Sequence, residues 1–151
     1  MTIEVSSPAF EPGATIPKRC TGEGQDVSPP LQWSGLPQET REIAIVCDDP
    51  DAPTQKPFVH WVVYKIPGSR TGLPEGSTEG ALEGTNDFGG TGYGGCMPPR
   101  GHGVHHYHFK VYALDTELDA PAGLSKDGLL AAMEGRILDE GELVGTYERD
   151  A

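Results

Sequence analysis

Val104-His-His-Tyr-His-Phe-Lys-Val-Tyr-Ala-Leu114 is the stretch on which the fold turns. Successive side chains of a strand point to opposite faces, so His105, Tyr107, Phe109 and Val111 share one face, and His106, His108, Lys110 and Tyr112 share the other. The first face is apolar apart from its leading residues. The second is polar and suited to water.

Upstream, Glu42-Ile-Ala-Ile-Val-Cys47 is a nearly continuous apolar run, which predicts a strand buried on both faces. His60-Trp-Val-Val-Tyr-Lys-Ile66 is a second strong strand, and the two-residue period puts His60, Val62, Tyr64 and Ile66 on one face. The first 35 residues are broken by proline and glycine into short strands, turns and extended loop, with Ile16 and Trp33 as core anchors. Residues 68–95 show no sustained period and are expected to be a long loop packed over the sheet. Ser125 caps a predicted helix over Lys126 to Leu138, with Leu129, Met133 and Ile137 at helical spacing. Glu142 to Tyr147 alternates again as a closing strand.

These elements make one mainly β domain over residues 1–151. The expected fold class is an antiparallel Greek-key β-sandwich with peripheral α-helices. With 21 glycines and 14 prolines in 151 residues, short elements joined by turns are favoured over long helices.

Charge narrows the function. The chain has 11 basic and 23 acidic residues, a formal net charge of −12, and no basic stripe. Duplex nucleic acid and anionic membrane surfaces would repel it, so any anionic ligand must be small or locally captured. The opening Met1-Thr-Ile-Glu-Val-Ser-Ser-Pro8 lacks a basic segment followed by an apolar run, and no later run reaches membrane-spanning length. A cytoplasmic protein without stable membrane insertion is expected. The widely spaced Cys20, Cys47 and Cys96 suggest neither a disulfide framework nor a zinc ribbon.

Four of the five histidines lie between residues 102 and 108, one within and three just after the loop Gly92 to Gly103, which has five glycines and the Pro98-Pro99 pair. Such a loop brings backbone close to a ligand along a rigid path. Asp48-Asp-Pro-Asp-Ala-Pro53 ends the first strong strand with three carboxylates aimed by two prolines. A carboxylate bonded to one imidazole nitrogen orients the ring, favours its charged form, and leaves the other nitrogen for an anion. A metal site would draw on His102, His105, His106, His108, Asp49 and Asp51, but no ligand pair has metal-binding spacing, so no metal or other cofactor is expected. Cys96 near the histidines would be the nucleophile of a hydrolase, although nothing in the sequence lowers a thiol pKa there.

Together these blocks resemble the phosphatidylethanolamine-binding protein family, and within it the prokaryotic Raf-kinase-inhibitor-like branch. The resemblance is carried by Ser7-Pro-Ala-Phe10, Ile16-Pro17, Ser28-Pro-Pro-Leu-Gln-Trp33, Asp49-Pro-Asp-Ala-Pro53, His60-Trp-Val-Val-Tyr64, Gly84-Thr-Asn-Asp-Phe-Gly89, Pro98-Pro-Arg-Gly-His-Gly103, His105-His-Tyr-His-Phe109, Ala113-Leu-Asp115 and Leu143-Val-Gly-Thr-Tyr147. It implies a sandwich whose pocket takes a phosphate-like or carboxylate anion, including a phospholipid head group, at the end of a sheet. The implied ligand-binding residues are Asp49, His60, Pro98, His105 and Tyr107, with Asp51, Gly95, Cys96 and Met97 as the supporting rim. It further implies a non-catalytic, regulatory role, with inhibition of a serine protease or protein kinase by direct contact as the alternative, and a homodimer. The sequence departs from the branch at Cys96-Met97, where relatives carry Pro-Cys, and at His106, where arginine is usual.

Overall fold

The computed structural model describes residues 3–149, and it is mainly β. In chain order the elements are β1 (Glu4–Ser6), a 3-10 turn (Lys18–Cys20), β2 (Leu31–Ser34), β3 (Glu42–Asp49), β4 (Phe58–Pro67), β5 (Gly72–Leu73), β6 (Leu82–Glu83), β7 (His105–Leu114), α1 (Lys126–Met133) and β8 (Ile137–Tyr147). Strands β6-β4-β3-β7-β8 form a five-stranded antiparallel sheet, and β1-β2-β5 form a smaller antiparallel one.

The apolar run in β3 takes the centre of the larger sheet, and every residue from Glu42 to Asp49 is buried. One face of that sheet packs on the smaller sheet through Ile43, Ile45, Trp61, Phe109 and Val111, with Trp33 and Ile16 contributed from the N-terminal segment. The opposite face carries Ala44, Val46, Val62, Tyr64 and Leu114, and α1 covers it with Leu129 and Met133. Burying apolar side chains on both sides explains why the run is continuous rather than alternating.

Helix α1 begins as expected, with the Ser125 hydroxyl accepting from Gly128 N at 3.1 Å. It ends at Met133, five residues earlier than the apolar spacing predicts. Gly135 adopts a φ of +76°, which stops the helix and turns the chain back. Ile137 therefore opens β8 and is exposed, and the closing strand is longer than its alternating part suggests. The segment 68–95 is likewise not pure loop, because β5 and β6 each extend a sheet by two residues.

The expectation for β4 is corrected. Val62 and Tyr64 join the helix-covered face, whereas Trp61, Val63 and Ile66 face the smaller sheet. Two irregularities in the β3–β4 ladder cause this. Cys47 pairs with Trp61 but Asp48 pairs with Val59, which leaves His60 as an extra residue; a second shift lies between the pairs Ile43–Ile66 and Ile45–Val63. Each bulge breaks the two-residue alternation. At the second, Lys65 takes a φ of +57°, and its ammonium is anchored by Leu118 O at 2.6 Å and Glu42 Oε2 at 3.3 Å.

Candidate functional site

The bulge at His60 sets up the site. It turns this side chain towards the same end of the sheet as Tyr107, so that the two rings meet edge to face with centroids 5.1 Å apart. Asp87, from the loop after β6, stabilises the irregular backbone: its carboxylate accepts from Val59 N at 2.8 Å, and its own N–H donates to Val59 O at 2.9 Å.

Strand β3 delivers Asp49 as its last residue. Both carboxylate oxygens are engaged: Oδ1 accepts from Asp51 N at 2.8 Å, and Oδ2 lies 2.6 Å from His105 Nδ1. The carboxylate accepts, so Nδ1 of His105 carries a proton and Nε2 is turned away from Asp49. Nε2 in turn lies 2.6 Å from Nδ1 of His102, forming a carboxylate–imidazole–imidazole chain. The inner pair is almost fully buried, whereas His102 is exposed.

His60 is fixed differently. Its Nδ1 donates to Gly94 O at 2.7 Å, because a carbonyl only accepts. Burial lowers its pKa below the ordinary histidine value, against the opposing pull of the Gly94 and Gly95 backbone and of Asp49 and Asp48. Close approach of the chain here requires glycine. A Cβ at Gly94 would lie 2.4 Å from the Phe88 ring, and one at Gly95 would meet Asp26 Oδ1 at the same distance.

These groups floor a cavity of about 220 Å³. Asp49, His60, His105 and Tyr107 form its polar base, while Phe58, Phe88, Met97, Pro98 and Pro99 form an apolar wall. Phe88 and Met97 are exposed at the mouth. Tyr107 lines the cavity, and its hydroxyl, next to the buried Cys96 thiol, is buried with no partner in hydrogen-bond geometry among the described residues. Burial pushes its pKa far upward, so it stays a protonated donor. A wider depression of about 980 Å³ on the smaller sheet contains no histidine or cysteine, and its lining does not include this unpartnered group.

The five expected ligand-binding residues, Asp49, His60, Pro98, His105 and Tyr107, line one cavity, and Met97 joins them. The other rim residues stand behind it. Gly95 donates its N–H to Asp26 Oδ1 at 2.7 Å, and Cys96 is buried in the core, where burial pushes its thiol pKa well up. Asp51 reaches the outer surface, accepting from His106 N at 2.8 Å with its carboxylate 2.7 Å from His106 Nδ1. His108 likewise sits on the outer side, 3.2 Å from Glu142. Sequence reasoning did not assign Phe58, Phe88 or Thr54 to the pocket, nor pair His102 with His105. His102 was visible in the histidine run, but it precedes the strand, where alternation gives no direction.

The comparisons with known proteins cover nearly the whole chain. The family model described as phosphatidylethanolamine-binding protein matches residues 6–148. A UPF0098 protein from Methanothermobacter thermautotrophicus is 45% identical, over 97% of this chain and 99% of its own length. The crystal structure of a phosphatidylethanolamine-binding protein homolog from Chlamydia trachomatis is similar with a TM-score of 0.93 at 37% identity, covering 99% of both chains. That of YbcL from E. coli is similar with a TM-score of 0.90 at 34% identity, covering 98% of this chain and 99% of its own.

Proposed function

The chain belongs to the phosphatidylethanolamine-binding protein family, and from that premise we propose that it binds a small phosphate-like or carboxylate anion and acts by regulation rather than by turnover. The observation that carries this reading is the Tyr107 hydroxyl, a buried donor without a partner, on a residue that lines one cavity with two histidines. A buried polar group left unsatisfied costs about 1–3 kcal/mol, and a ligand oxygen accepting from it recovers that energy.

The anion sits with one oxygen on Tyr107 and another on His105. Asp49 holds the imidazole of His105 in place through Nδ1, so that Nε2 meets the ligand. His102 Nδ1 lies against that nitrogen, and the anion takes its place. An anion accepts from His105 Nε2 only when that nitrogen carries a proton, so the ligand takes the doubly protonated ring, whose other N–H Asp49 accepts. The apolar wall excludes water and strengthens each of these contacts. A buried Cys96 with a raised pKa is a poor nucleophile, which supports a binding role over hydrolysis.

Titration calorimetry with inorganic phosphate tests the reading. The wild-type protein binds, and Tyr107→Phe lowers the affinity about tenfold, the loss of one buried hydrogen bond. Affinity unchanged in Tyr107→Phe, or no phosphate binding by the wild type, contradicts it.

A further inference from the structure

The hydrogen-bonding roles in the cavity are not all donors. Gly94 O fixes the proton of His60 on Nδ1, so a neutral His60 turns an unprotonated Nε2 towards the cavity, and Nε2 makes no hydrogen bond to a described residue. Tyr107 offers the opposite role, an O–H with no acceptor. One wall of the pocket therefore accepts while its floor donates. A ligand that fills both roles must carry a proton of its own beside a bare oxygen.

We infer that the pocket selects oxyanions that retain an acidic proton, with hydrogen phosphate as the simplest member, and that His60 is the residue that reads this proton. The inference rests on the anion-binding reading above and narrows its ligand class. Inorganic phosphate keeps at least one P–O–H near neutral pH, so it donates to His60 Nε2 while its bare oxygens accept from Tyr107 and His105. Sulfate has the same shape but carries no proton in this range. Its oxygen would face the lone pair of His60, leaving a buried acceptor unpaired against a negative charge. The lowered pKa of His60 works in the same sense, since the buried ring resists taking up a proton to accommodate sulfate. The groups facing His60 are Asp49 from β3, Tyr107 and His105 from β7, and the Gly94 and Gly95 backbone from the loop before β7, while Asp48 acts from farther off, paired with Lys126 of α1. The two aspartates favour a charged ring, and burial outweighs them.

The experiment compares sodium phosphate and sodium sulfate by titration calorimetry at pH 7.5 and matched ionic strength. Wild-type protein binds phosphate at least about tenfold more tightly, the factor expected when one buried polar group is left unpaired. His60→Gln, whose amide can present either N–H or C=O, brings the two affinities within about twofold. Because the substitution alters a buried position, nitrogen-15 NMR of the wild type supplies a second readout: with phosphate bound, His60 Nε2 keeps the shift of an unprotonated nitrogen. Equal binding of the two anions, discrimination surviving in His60→Gln, or a protonated Nε2 in the phosphate complex at pH 7.5 overturns the role of His60 while leaving the anion site standing. Binding of neither anion overturns the site itself, and this inference with it.

Discussion

His105 and His106 are neighbours on one strand, and each ring lies within 2.7 Å of an aspartate from the same turn, Asp49 for the first and Asp51 for the second. The chemistry is the same and the setting is opposite. The side chains of His105 and Asp49 are 1% and 3% exposed, and those of His106 and Asp51 are 51% and 41% exposed. Burial removes the water that would otherwise satisfy each partner, so the inner pair is bound to its geometry while the outer pair can exchange with solvent. One strand thus lines the cavity on its inner side and carries a clasp on its outer side.

The largest expected effect is on stability. Asp49→Ala strands the buried Nδ1 of His105 and removes the acceptor for Asp51 N, and it costs about 3–5 kcal/mol in urea denaturation. Asp51→Ala removes an exposed pair and one backbone acceptor and costs about 1 kcal/mol or less. Similar losses for the two variants would remove the distinction between inner and outer pairs. Next comes binding. His105→Ala lowers phosphate affinity about tenfold or more through loss of a charge-assisted contact, and His106→Ala changes it less than about twofold, as calorimetry would read directly.

A smaller effect appears in the pH dependence of stability. The unfolded chain protonates its histidines near pH 6.5, whereas the His60 pKa in the folded protein lies lower. Between those values the unfolded state binds more protons, so the His60 contribution is fully present above about 6.5 and is lost as pH falls through the folded value. His60→Gln flattens this slope in thermal denaturation. His106 acts in a different window: its ring beside Asp51 lowers the Asp51 pKa, so that contribution is present above the ordinary carboxylate range and is lost in more acidic solution. A slope near pH 6.5 that persists in His60→Gln would assign it to other groups.

The contrast across β7 was legible in the sequence because β7 is regular through the site: strict alternation over Val104 to Leu114 separates His105 and Tyr107 from His106 and His108. The burial of β3 on both faces was legible for a related reason, since only such burial tolerates its unbroken apolar run. β4 was not legible in the same way. His60 was placed in the pocket, but the two-residue period grouped it with Val62 and Tyr64, which the bulges send to the other face. A bulge follows from how two strands pair, and one strand's sequence does not contain its partner's register. The helix end failed for a local reason: Ile137 keeps helical spacing with Met133, and only Gly135, between them, marks the break. The pocket's aromatic wall was invisible because Phe88 comes from a loop whose path is set by Asn86, which bonds Gly92 O through its amide and accepts from Phe88 N and Gly90 N.

Histidine-resolved NMR during a phosphate titration tests the division of the strand most directly, because it reads inner and outer rings in the same sample. The expected result is a saturable shift of the His60 and His105 resonances, accompanied by His102 as it leaves Nε2, with His106 and His108 unmoved. Static His60 and His105 resonances, or shifts of equal size on both sides of β7, would contradict an anion site on the inner face.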